Sequence, residues 1–207
     1  MRGLVLLCVA LLAGCVPVSE HPAGDERAPF DARLQGVWRP TERKDAGTML
    51  FVGPNEDGGQ GVHLVVVEET TERRWKVDEY AGVTERRGAH GYLSIRYATS
   101  DGSRRGWVIA RYTLVGGDRL RLETLDEPRL AALVRDGTVA GRVEGDTPGA
   151  DVDLTLDSAE LLAFLESPRG SALFSSPHTL TRVTTAGAPA PGRHQSTGAG
   201  VAPGRSR

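Results

Sequence analysis

The chain has 207 residues, 25 of them basic and 27 acidic, for a formal net charge of −2. That balance gives no electrostatic footprint for a nucleic-acid partner. Its two cysteines, Cys8 and Cys15, both lie near the N-terminus, so the body of the chain has no thiol for a disulfide, a metal site or a nucleophile.

Met1-Arg2 is a minimal positive start, and residues 4–13 form an apolar run closed by small residues. A membrane-spanning helix needs about 20 apolar residues; this run has roughly half that and reads as the hydrophobic core of a signal peptide. Leu12-Ala13-Gly14-Cys15 resembles the lipobox of bacterial lipoproteins. The resemblance implies peptidase recognition of Leu12, Ala13 and Gly14, cleavage after residue 14, and lipidation of Cys15. Two or more acyl chains anchor stably where one is marginal, so the expected state is peripheral and lipid-held. Val16 stands where an aspartate would favour inner-membrane retention in a diderm envelope. The resemblance thus implies the outer membrane, facing the periplasm, or the outer face of the cytoplasmic membrane otherwise.

Residues 15–29 carry Pro17, Pro22, Gly24 and Pro29 among scattered charges, and are expected to form a flexible tether. The body is expected over residues 30–185. Residues 34–39 open it as a strand, followed by strands near 47–52, 62–69, 74–80, 92–98, 106–115 and 119–125. In these, apolar and polar residues alternate, as in Leu93, Ile95 and Tyr97 against Ser94 and Arg96. A period of two broken by turn residues signals an antiparallel meander. The period then changes. Asp126-Glu127-Pro128 offers an N-cap and an early proline for a helix that Gly137 can end. Short strands are expected at 139–143 and 152–156. Asp157 and Glu160 have capping-box spacing ahead of a second helix stopped by Ser167-Pro168, and residues 178–184 form the last strand. Residues 186–207 are rich in Ala, Gly, Pro, Ser and Thr, a composition expected to stay disordered.

A sheet of this many sequential strands removes its edges best by closing. The expected fold is mainly β: an up-and-down meander closing to an eight- or nine-stranded barrel, with one or two short C-terminal helices. A two-sheet sandwich is the alternative. Gly36-Val37-Trp38 resembles the opening Gly-x-Trp strand of lipocalins and lipocalin-like domains. That resemblance implies a tryptophan plugging one barrel end with a late arginine stacked on it, here Trp38 and Arg182.

Thr-Glu-Arg followed by a basic residue occurs at 41–44, 71–74 and 84–87, each at an expected turn. In a meander alternate turns share an end, which would gather Arg43, Lys44, Arg73, Arg74, Arg104 and Arg105 into a rim facing anions. Solvated turns with locally paired charges are the simpler reading. Asn55-Glu56-Asp57 matches no calcium-loop spacing. Glu68 and Glu69 alternate across a strand and form no carboxylate pair. His63, His90 and His178 show no ligand spacing, and Ser158, Ser171 and Ser175 have no nucleophile-elbow context. No catalytic residue, metal or cofactor is indicated. The expected function is non-catalytic binding of an envelope ligand or partner, either an apolar molecule or an anionic component. An assembly adaptor and an enzyme of unrecognised type are the alternatives.

Overall fold

The computed structural model describes residues 16–42, 47–55, 60–70, 72, 74–97, 106–146 and 148–183. In chain order the strands are β1 (Val18–Ser19), β2 (Gly36–Pro40), β3 (Thr48–Pro54), β4 (Val62–Glu69), β5 (Trp75–Arg87), β6 (His90–Tyr97), β7 (Trp107–Val115), β8 (Arg119–Leu125), β9 (Gly141–Glu144), β10 (Asp151–Leu154) and β11 (Phe174–Arg182). A 3-10 turn spans Ala32–Leu34. The helices are α1 (Glu127–Arg135), α2 (Ser158–Glu166) and the four-residue α3 (Pro168–Ser171).

Eight antiparallel strands close into a barrel in the order β6-β5-β4-β3-β2-β11-β8-β7, with β6 also paired to β7. Period-two alternation drives the closure. Most strands turn a row of apolar side chains inward, where Leu50, Val66, Ile95, Leu122, Leu180 and their neighbours form a single buried cluster. The first and last barrel strands are adjacent, with Arg182 in register with Trp38.

A second core lies outside the barrel. The outward rows of β6, β7 and β8 contribute Tyr92, Trp107, Ile109 and Leu125. Against them pack Leu130 and Val134 of α1, Leu161 and Leu165 of α2, and Val152 and Leu154 of β10. The helices begin where the sequence places caps. The Asp126 side chain accepts from Arg129 N at 3.0 Å, and Asp157 with Glu160 forms a reciprocal capping box.

Three expectations are corrected. Residues 16–29 are not a free tether. β1 pairs antiparallel with β7 and parallel with β10, Ser19 and Ala23 are fully buried, and Ala23 N donates to Ser94 Oγ at 2.9 Å. Four prolines and glycines in this stretch mask a two-residue strand too short to show a period. Second, β5 does not stop at Tyr80 but runs thirteen residues to Arg87, so the third Thr-Glu-Arg motif lies in a strand and not a turn. Gly82 reads as a breaker, yet it is where the backbone passes so close to the Ser94 carbonyl that a Cβ would collide. Third, β11 begins at Phe174 instead of residue 178. Its register shifts between Ser175 and His178, and Ser176 takes φ 53°; this bulge accommodates Pro177 inside the strand.

Candidate functional site: a capped barrel with a charged inner rim

The starts of β2, β4, β6 and β8 and the ends of β3, β5, β7 and β11 share one end of the barrel. A short plug closes it. The 3-10 turn lies across this end, and Trp38, fully buried, donates its indole Nε1–H to Leu34 O at 2.8 Å. The Arg182 guanidinium stacks 4.1 Å from the centre of the Trp38 ring. It also donates to Arg33 O at 2.7 Å, to Gly117 O at 3.2 Å and to Gln35 O. One side chain thereby ties the plug, β2 and the β7–β8 turn together. Gly36 explains the glycine of the Gly-x-Trp strand. Its φ is +142°, and a Cβ there would sit 2.6 Å from Arg182 Nη1, so glycine supplies both the backbone conformation and the space.

A polar group stands behind the plug. Tyr112, on the inward row of β7, donates to Asp31 Oδ2 at 2.8 Å, and Asp31 is bridged by Arg33 at 2.5 Å. The Arg33 hydrogen bond is the main cause holding the Asp31 carboxyl below its ordinary value. Burial, and then the bond to Asp31, pushes the Tyr112 hydroxyl upward. Tyr112 is therefore a fixed neutral donor under the plug.

The opposite end is where β2, β4 and β6 finish and β3, β5 and β7 begin. We call it the loop end. Its inward rows turn polar: Thr48, Glu68 and Lys76 are in register across β3, β4 and β5. Next to them Asp78 follows Leu50 and Val66. Lys76 Nζ, shielded from solvent, lies 2.8 Å from Asp78 Oδ2. The approach is off-axis, so the contact is an ion pair and not a well-aligned hydrogen bond. The interior thus reads from a charged rim, through a packed apolar core, to an aromatic plug. Of the rim proposed from sequence, Arg74 is described. It is exposed and 3.6 Å from Glu72. Arg43, Lys44, Arg73, Arg104 and Arg105 lie outside the described residues, as do Leu12, Ala13, Gly14, Cys15, Glu56 and Asp57.

The outer wall divides in two. Helices cover β6 to β8. On β3, β4 and β5 the outward row Met49–Val67–Val77 is apolar, and Trp75 follows Val77 toward the loop end. Trp75 is 59% and Val77 55% exposed, the two largest values among the exposed large hydrophobics.

No protein-family model matches the chain, and neither a curated protein nor a solved structure is significantly similar to it.

Two further polar clusters lie under or beside the helices. Glu123, nearly buried, binds Arg111 Nη2 at 3.1 Å and Arg121 Nη2 at 2.8 Å, while Arg111 also donates to Ser171 Oγ at 3.1 Å and stacks on Phe174 at 4.5 Å. Glu166 Oε1 receives Tyr92 Oη at 2.5 Å and contacts His90 Nε2 at 2.9 Å. Burial works to raise the Glu166 carboxyl, but the Tyr92 and His90 bonds outweigh it and leave it lowered. Both clusters fasten α2 and α3 to the barrel wall. The bonds that join barrel to helix in them span 60 or more positions of the chain, so no local motif announces them. The inner rim is also hidden in the sequence, because Lys76 and Asp78 alternate with Trp75 and Val77, and the apolar pair reads as the buried face.

Proposed function

We propose that the chain is a cell-envelope lipoprotein, held to a membrane through lipid on Cys15, whose barrel binds an envelope ligand without catalysing its conversion. The observation that carries the binding reading is the polarity gradient inside the barrel. The Trp38–Arg182 plug seals one end. Above it lies an apolar interior of Leu50, Val66, Ile95, Leu122 and Leu180, and Glu68, Lys76 and Asp78 line the far rim. Such a gradient suits an amphiphile with an apolar body and a polar or ionic head, since a few convergent polar groups orient what an apolar wall holds. Lys76 would meet an anionic head and Asp78 would hold Lys76 in place. The Leu12-Ala13-Gly14-Cys15 motif supports the address, and Val16 after the cysteine favours the outer membrane of a diderm cell.

The test is native mass spectrometry of the protein purified from membranes in mild detergent, followed by solvent extraction. A stoichiometric amphiphile released from the native protein and absent from a Lys76→Glu variant supports the reading. Native and variant protein each at the mass of the processed chain alone, with nothing extracted, contradict it.

A further inference from the structure

We propose that β9 is a self-docking edge, along which two copies of the chain pair antiparallel about a two-fold axis at Val143. The inference is independent of the lipid anchor and of any ligand in the barrel.

β1, β10 and β9 form a short extension that leaves the barrel at β7, and β9 is its last strand. One edge of β9 is bonded to β10, with Arg142 opposite Asp153 and Val143 opposite Val152. Among the described residues no strand pairs with its other edge. Two bonds fix which peptide groups point there. Glu20 N donates to Leu154 O at 2.9 Å, so Leu154 turns its peptide groups toward β1 and Asp153 turns its own toward β9. Thr155 N donates to Ala140 O at 3.2 Å, in the same register. Peptide groups alternate sides along a strand. Arg142 and Glu144 therefore bond β10, while Gly141 and Val143 point N–H and C=O away from the sheet. Such an edge is a template for another strand.

The side chains select which strand fits. Arg142 and Glu144 share one face of β9 and are both exposed, while Val143 packs on the other face against the outer core. Arg-Val-Glu is self-complementary under a two-fold axis at Val143. Antiparallel pairing sets Val143 opposite Val143 of the second copy, where the two exchange both backbone bonds. It sets Arg142 opposite Glu144 of the second copy, twice, at the non-hydrogen-bonded positions where side chains lie closest. A shift of two residues either way would oppose arginine to arginine or glutamate to glutamate, so charge selects this register. Glu144 makes no ion pair among the described residues. Arg142, bonded to Glu20 at 2.7 Å, is still 62% exposed and keeps donors free for a second carboxylate. Four residues a side make a small interface, so the association is weak and concentration-dependent.

The experiment follows the full chain, purified in mild detergent, by native mass spectrometry over a series of concentrations. The native protein should show a dimer that grows with concentration. Glu144→Arg, which sets arginine against Arg142, should lose it, and so should Arg142→Glu. Mixed in equal amounts, these two variants regain opposite charges at both positions, and a heterodimer should form where neither homodimer does. Val143→Pro removes a donor that faces the open edge and not β10, so it should abolish the dimer and keep the fold. Thermal melting of each variant checks the fold. A native protein that is monomeric at every concentration overturns the proposal, since the charges then only guard the edge. A dimer that persists in Glu144→Arg or in Val143→Pro also overturns it, because the contact then lies on another surface. These two variants decide the question even if Arg142→Glu, which also gives up Glu20, melts early. With all variants folded, a mixture that stays monomeric overturns the pairing as well.

Discussion

The Arg182 guanidinium lies 4.1 Å from the centre of the Trp38 ring while donating to carbonyls on the plug segment and on the β7–β8 turn. The two residues are also cross-strand partners on β11 and β2. One contact therefore joins the first barrel strand, the last barrel strand and the plug. Replacing Arg182 by Met keeps part of the stem and removes the charge. A cation–π contact contributes about 1 kcal/mol and each bonded carbonyl left unpaired costs about 1 kcal/mol. Arg182→Met should therefore lower unfolding free energy by about 2–3 kcal/mol in urea titration. Arg182→Lys should recover less than half of that, because a point charge cannot serve several carbonyls at once.

Gly36 and Gly91 should resist even alanine. Gly36 combines φ +142° with Arg182 Nη1 where its Cβ would be. At Gly91 a Cβ would run into the Tyr112 ring, and Tyr112 is fully buried and bonded to Asp31. Each Gly→Ala exchange is expected to cost about 1–3 kcal/mol, the usual range for overpacking a tight site. Gly117, with φ +81° but open space around it, should lose only about 1 kcal/mol. Thermal denaturation of the three variants gives the ranking.

Glu123 is the hub of a charge cluster on the outer wall, between Arg111 and Arg121. Glu123→Gln leaves Arg111 stacked on Phe174 without its carboxylate. Breaking a fully buried pair costs about 3–5 kcal/mol; here Ser171 still accepts from Arg111, so about 2–3 kcal/mol is expected. Because the cluster fastens α3 to β7, amide exchange should rise first at residues 168–173.

Acid should loosen the plug. The Asp31 and Glu166 carboxyls both sit below their ordinary values. Their ionised forms are the ones bonded in the fold. The stability they contribute is therefore complete above the ordinary carboxylate range and is lost as pH falls through their depressed values. Asp153 runs the other way: burial raises it, so its protonation under mild acid relieves a cost. Urea midpoints followed from neutral to acid pH should show a steep acid limb that flattens in Asp31→Asn and Glu166→Gln. An unchanged limb in both variants contradicts this assignment.

Much of the barrel is legible in the sequence because burial on one face imposes period two. Residues 119–123 alternate polar and apolar, residues 62–69 are a valine-rich run, and both segments are strands with the expected bounds. The capped end is legible through a glycine and a tryptophan two apart and an arginine in the last apolar run. What escapes is whatever leaves no period. β1 is two residues long and pairs with strands about 90 and 135 positions away, so prolines and charges around it suggest a tether. The inner rim escapes because Lys76 and Asp78 alternate with Trp75 and Val77. The usual reading of such a strand turns the charges out, whereas here Trp75 and Val77 face out and the ion pair faces in.

The packing of β1 has a direct consequence in exchange experiments. Glu20 N donates to Leu154 O at 2.9 Å, and Ala23 N to the buried Ser94 Oγ. Both amides should exchange at least about a hundredfold more slowly than in a free chain, since each opening must break a packed contact. Ser94→Ala should release Ala23 and leave Glu20 protected.

The central claim is that Cys15 joins this barrel to a membrane, and the mass of its N-terminal tryptic peptide tests it most directly. Protein taken from the membrane fraction should yield a peptide that begins at Cys15 and carries a diacylglyceryl group with or without a further acyl chain. A peptide that begins elsewhere, or a Cys15 whose free thiol reacts with iodoacetamide, would contradict the account.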